Sequence, residues 1–96
     1  MMPSYTYMLA SRRNGTLYIG ITSEIAKRVS EHKDKIYSGF TAQYGVDKLV
    51  YYEVYADIET AIRREKAIKK WKRAWKIQLI EKSNPEWRDL FNELTA

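Results

Sequence analysis

Cysteine is absent from this 96-residue chain. That excludes a disulfide scaffold and a thiolate zinc site, and makes a reducing cytoplasm the default expectation. No segment approaches the roughly 20 apolar residues needed to span a bilayer. The opening Met1-Met2-Pro3-Ser4 lacks the basic region and long apolar run of a signal peptide, so a soluble, cytoplasmic protein with no membrane attachment is expected. Two prolines and four glycines mark no linker, repeat or low-complexity stretch. The length suits one core, so a single domain over residues 1–96 is expected.

Acidic residues are also scarce, 12 against 17 Lys and Arg, and the imbalance is local. Between Arg63 and Lys76 stand eight cations, Arg63, Arg64, Lys66, Lys69, Lys70, Lys72, Arg73 and Lys76, against Glu65 alone. A basic block of this kind is the footprint of a polyanion partner, nucleic acid first and an anionic membrane second. The competing reading is a solvated helix face with no specific partner.

Aromatic and branched residues are plentiful where glycine and proline are not. Tyr5 to Ala10 and Thr16 to Ile21 read as strands, and Asn14-Gly15 between them is a hairpin signal. A two-residue loop on Asn14-Gly15 would pair Tyr7 with Thr22 and Tyr18 with Ser11. A four-residue loop over Ser11 to Asn14 would pair Tyr7 with Tyr18. Either register leaves both tyrosines on one face of the sheet.

Thr22 or Ser23 can cap a helix that begins near Glu24, with Ile25, Ala26 and Val29 on its apolar side and Arg28 and His32 one turn apart. Lys35 to Asp47 reads as a loop, and Lys48 to Tyr55 as a third strand. Asp57 caps a second helix. Trp71, Trp75 and Leu79 continue at four-residue intervals into a further helix ending near Lys82, and this stripe is expected in the core. Asn84-Pro85 opens a short last segment with Trp87, Leu90, Phe91 and Leu94 at helical spacing.

Glu65 breaks the second helix's pattern. Ile58, Ala61, Ile62 and Ile68 share a stripe whose next member is Glu65. An unpaired buried carboxylate costs several kcal/mol, so Glu65 is expected to pair with Arg or Lys, to be partly exposed at a helix edge, or to sit at a metal site. Arg63, Arg64 and Lys66 project elsewhere, which leaves a partner from another element or a cation. Taken singly, Tyr7, Tyr18, Arg28 and His32 each have an ordinary structural explanation; together with an inward glutamate they suggest one site.

Tyr7, ten intervening residues, Tyr18-Ile19-Gly20, then Arg28 and His32 on a following helix and Glu65 on a later one resemble the GIY-YIG nuclease family. Leu49 to Glu53, Lys69 to Lys76 and Asn84-Pro85-Glu86-Trp87 are similar to its small stand-alone bacterial members, the UPF0213 or YhbQ-like group. The resemblance implies an α/β (α+β) fold in β-β-α-β-α-α order, a small three-stranded antiparallel or mixed sheet flanked by helices. It implies a metal-dependent endonuclease that hydrolyses DNA phosphodiesters, in DNA repair or recombination, with DNA ahead of RNA as partner. It places Tyr18 as or beside the general base with Tyr7 nearby, Arg28 on the scissile phosphate, and His32 in proton transfer or orientation. Glu65 would hold one divalent cation, Mg²⁺ or Mn²⁺.

Two departures stand out. The first motif reads Tyr5-Thr6-Tyr7 instead of Gly-Ile-Tyr, and Ile21 replaces the lysine that nucleotide-excision-repair relatives carry. The first keeps the hydroxyl; the second removes a charge. A catalytically weak or inactive nucleic-acid-binding module of the same fold is the alternative. An interaction protein whose basic helix recruits acidic partners or lipid surfaces is a third reading.

Overall fold

The computed structural model describes residues 2–36 and 39–94. Residues 1, 37, 38, 95 and 96, which fall within the expected single domain and, for two of them, the expected loop, lie outside it. Three strands form one fully antiparallel sheet in the order β2-β1-β3, with β1 (Ser4–Ala10) between β2 (Leu17–Thr22) and β3 (Lys48–Tyr55). Both neighbours of β1 are strands and both of its faces carry helices, so six of its seven residues are buried.

The hairpin register is neither of the two expected. Tyr7 pairs with Gly20 and Leu9 with Tyr18. The loop holds residues 12–15, closed by Ser11 N donating to Thr16 O at 3.0 Å, with Asn14 at a left-handed φ of 57°. Tyr7's partner therefore lies two positions from each expectation, and because side chains alternate with period two, both tyrosines still share a face.

That alternation sorts the molecule into layers. Tyr7 and Leu9 point toward α1 (Ile25–Lys33), where they pack with Ile25 and Val29, and with Val46 and Leu49. Met8 and Ala10 point the other way and pack with Ile19, Val50, Ile68 of α3 (Ile58–Lys70) and Ile80 of α4 (Arg73–Ser83). The pairing of β1 with β3 slips between Met8 and Leu9, leaving Val50 as an extra residue. The Val50 carbonyl accepts from Asn84 Nδ2 at 3.1 Å.

α1 buries Ile25, Val29 and His32, one helical stripe. Thr22 Oγ1 accepts from Glu24 N at 3.0 Å just before it, although no side chain caps the helix itself. Asp57 caps α3 as expected, its carboxylate accepting from Thr60 N at 2.9 Å and held below the usual carboxylate range by the Thr60 donors. The stretch expected as loop contains a short helix, α2 (Phe40–Tyr44), which ends at a left-handed Gly45. Five residues with no clear apolar stripe left no periodic signal there.

The tryptophan stripe is a correction. Trp75 is 49% exposed and Trp71 and Leu79 are only partly buried, while Ile80 carries α4's contact with the core. A break at Trp71, which adopts extended backbone between α3 and α4, resets the helical phase, so spacing counted across it misleads. The last segment is also helical only at its end, in α5 (Phe91–Leu94). Before it, Trp87 takes a left-handed φ of 56° and Asn84, 2% exposed, binds the backbone of Arg88 on both sides. Leu90, Phe91 and Leu94 then cover the Tyr7 face.

Candidate active site

Strand β1 presents Tyr7, β2 presents Tyr18, and the last turn of α1 presents His32, all toward one side of the sheet. Their rings meet: centroids are 6.3 Å apart for Tyr7 and Tyr18, 6.4 Å for Tyr7 and His32, and 5.5 Å for Tyr18 and His32. Tyr7 is fully buried, whereas Tyr18 is half-buried and reaches solvent. The two phenols are thus not equivalent.

His32 is fixed at both nitrogens. Nδ1 lies 3.1 Å from Thr41 Oγ1 on α2, and Nε2 lies 3.5 Å from the Tyr7 hydroxyl. Burial lowers its pKa below the ordinary 6.5, the Arg28 guanidinium lowers it further, and Glu31 partly opposes both. Burial and the arginine thus favour the neutral imidazole, which has one proton for two hydrogen bonds. With the proton on Nδ1, His32 donates to Thr41 and accepts from Tyr7; with it on Nε2, Thr41 donates to Nδ1 and His32 donates to the Tyr7 oxygen. Thr41 gave no signal in the sequence, because it lies on the short helix hidden in the expected loop.

Gly20 has a role that its motif position alone did not reveal. It faces Tyr7 across the hairpin, and a Cβ there would lie 2.7 Å from the Tyr7 hydroxyl and 2.9 Å from Cε2 of Tyr18. The two rings occupy the space that a side chain at this position would need.

Arg28 sits one turn before His32 on α1, 38% exposed, with Nε 3.8 Å from Glu31 Oε1. Thr22, Glu24, Lys27, Arg28 and Glu31 line a depression of about 210 Å³ beside it.

Glu65 is on α3, across the sheet from α1, on the helix that packs against β1 and the edge strand β2. Its side chain is 15% exposed, and its Oε2 lies 3.0 Å from Lys69 Nζ. The expected partner from another element is corrected: the ion-pair partner is Lys69, one turn further along the same helix. Among the described residues, no three His, Asp, Glu or Cys side chains gather as a metal cage.

The cations of the basic block divide into two groups. Arg64 makes a two-pronged contact with Glu53, at 2.9 and 3.0 Å, and its guanidinium lies 5.0 Å from the centre of the Trp71 ring. Tyr51 and Tyr55 donate to the same carboxylate, which Arg64 and the two phenols hold below its usual pKa despite burial. Arg73 ties α4 to the hairpin loop through the carbonyls of Asn14 and Gly15, at 2.8 and 2.6 Å. Arg63, Lys66, Lys69, Lys70 and Lys72 are exposed and Lys76 partly so.

A three-stranded antiparallel sheet between helices, with two strand tyrosines, a helix arginine and a histidine gathered on one face, defines a class of domain. The family model described as the GIY-YIG catalytic domain matches residues 3–78, and the chain belongs to that family. Within it the chain is similar to UPF0213 proteins. One from Syntrophus aciditrophicus is 40% identical over 87 residues, covering 90% of this chain and 98% of the relative. One from Clostridium perfringens is 36% identical over 77 residues, 80% of this chain and 82% of the relative. The solution NMR structure of a UPF0213 protein from Bacillus halodurans superposes with a TM-score of 0.56 at 26% identity, over 92% of this chain and 93% of that one.

Proposed function

We propose that this protein is a metal-dependent endonuclease that hydrolyses DNA phosphodiester bonds. The observation that carries the reading is the contact of Tyr7, Tyr18 and His32 on one face, with Arg28 one turn from the histidine. Membership of the GIY-YIG family supports a nucleic-acid substrate.

Hydrolysis of a phosphodiester builds negative charge on the non-bridging and leaving oxygens. Arg28, one turn from His32 and 38% exposed, presents a guanidinium that can meet a phosphate and stabilise that charge. Tyr18, the solvent-reaching phenol, meets the attacking water. Its part is to orient the water or relay its proton. His32, its Nε2 3.5 Å from the Tyr7 hydroxyl, helps hold the buried phenol in place.

Glu65 is the residue that would hold the divalent cation. Its carboxylate is partly exposed and its partner Lys69 is 51% exposed, so the pair opens at little cost. One carboxylate together with water and substrate phosphate is the kind of oxygen site that Mg²⁺ occupies. When bound, the cation supplies Lewis-acid stabilisation of phosphate charge. The exposed cations among Arg63, Lys66, Lys69, Lys70, Lys72 and Lys76 supply backbone contacts with little sequence information. Arg64 and Arg73, committed to Glu53 and to the hairpin, act through the fold they hold.

The Lys69–Glu65 pair favours a second reading, a nucleic-acid-binding module with feeble or no catalysis, since a cation must displace an ammonium. Incubation with a panel of branched, single-stranded and duplex DNAs in Mg²⁺ or Mn²⁺ separates the two. The nuclease cuts, and Glu65→Ala stops cutting while retaining DNA binding. Binding without cleavage by the unaltered protein establishes the module.

A further inference from the structure

Trp75 is a large apolar side chain left outside the core, and its surroundings are specific. The indole is 49% exposed, packs edge-on against Trp71 with ring centroids 6.2 Å apart, and carries the Lys72 ammonium 5.3 Å from its ring centre. Trp71, Trp75, Gln78, Leu79 and Lys82 line a groove of about 290 Å³ that contains no carboxylate. The one acidic residue of α4, Glu81, accepts from the indole Nε1 of Trp87 at 2.7 Å. The groove thus offers aromatic surface edged by positive charge.

We infer that this groove binds unpaired nucleobases of a single-stranded nucleic-acid segment by stacking on Trp75, with the flanking phosphates on Lys72 and Lys82. The inference rests on the nucleic-acid reading above and names the form of strand that this surface accepts. A nucleotide joins a flat π-face to an anionic phosphate, and here an indole stands beside the Lys72 ammonium, 5.3 Å from its ring centre, and the groove-lining Lys82. In a duplex the base faces are covered by their neighbours, so an indole on a protein surface stacks only on bases that are unpaired. An acidic protein segment would also meet the lysines, but it has no need of a planar partner.

The test is fluorescence anisotropy in EDTA, which removes cleavage from the measurement. The probes are a labelled oligothymidylate and an abasic oligomer of equal length that keeps the phosphates and lacks the bases. Trp75→Ala is expected to weaken oligothymidylate binding about tenfold and to leave abasic binding within about twofold. Trp75→Phe restores part of the loss, and indole emission of the unaltered protein is quenched by the thymidylate only. Because Trp75 lies outside the core, circular dichroism of both variants should match the unaltered protein. Equal weakening on both oligomers, or no weakening on either, overturns the stacking site while leaving phosphate-driven DNA binding intact. Absence of binding to either oligomer by the unaltered protein overturns this inference, and the nucleic-acid reading falls with it only where duplex and branched DNA also fail to bind.

Discussion

Gly20 and Tyr7 are cross-strand partners, and the Tyr7 hydroxyl lies where a Gly20 side chain would begin, 2.7 Å from an ideal Cβ. The glycine is needed here for space, not for backbone freedom. It lets a phenol lie flat across the hairpin and reach His32 on the facing helix.

Gly20→Ala is therefore expected to push Tyr7 out of the cluster. Overpacking of a filled site costs about 1–3 kcal/mol, which for a chain of this size lowers Tm by roughly 4–8 °C per kcal/mol. Thermal unfolding with cleavage assayed alongside measures both effects. An alanine variant with unaltered Tm and rate would mean that the rings make way freely.

The depressed pKa of His32 gives a signed pH dependence. The folded state binds its proton less readily than the unfolded state, so the unfolded chain gains protons first as pH falls. The stability is present in full above about 6.5 and is lost as pH falls through the folded value. Denaturant titrations at successive pH values should show this loss, and His32→Gln should flatten it. An unchanged acid limb in the variant would assign the effect to other groups.

The Glu53 site sets the edge of the sheet. Its carboxylate takes both prongs of Arg64 and the hydroxyls of Tyr51 and Tyr55 at 16% exposure, so Glu53→Ala strands an arginine and two phenols. Breaking a fully buried pair costs about 3–5 kcal/mol; with Arg64 at 30% exposure, a loss of about 1–3 kcal/mol is expected. Urea unfolding measures it. A loss below about 0.5 kcal/mol would reduce the network to an ordinary surface pair.

Asn84 anchors the segment that covers the Tyr7 face. It joins the bulge carbonyl of Val50 to both backbone groups of Arg88, and Asn84→Ala leaves those groups without partners. The expected cost is about 1–3 kcal/mol. Hydrogen exchange should then rise first in residues 84–94; uniform exchange across the sheet would place the loss elsewhere.

Most of the architecture was legible because it is written in local patterns. Aromatic and branched residues mark the three strands, Asn14-Gly15 the hairpin, and Asp57 the start of α3. The face shared by Tyr7 and Tyr18 survives an unforeseen register, since the observed partner of Tyr7 lies two residues from each candidate. What sequence did not carry depends on distance in space. The Lys69 partner of Glu65 lies one turn beyond the adjacent cations at 63, 64 and 66, and Thr41 sits on α2, which is too short to show a period. Trp75 was assigned to the core by counting across the break at Trp71, although the two tryptophans belong to different helical phases.

The central claim is that the face holding Tyr7, Tyr18, His32 and Arg28 cuts phosphodiesters. Single-turnover cleavage of a labelled branched DNA in Mg²⁺ by Arg28→Ala, with DNA affinity measured in parallel, tests it most directly. The account predicts a fall in rate of about 10²–10³-fold, the scale expected for removing one preorganised charge-stabilising group, with affinity changed less than about threefold. An Arg28→Ala protein that cuts at the unaltered rate would contradict it.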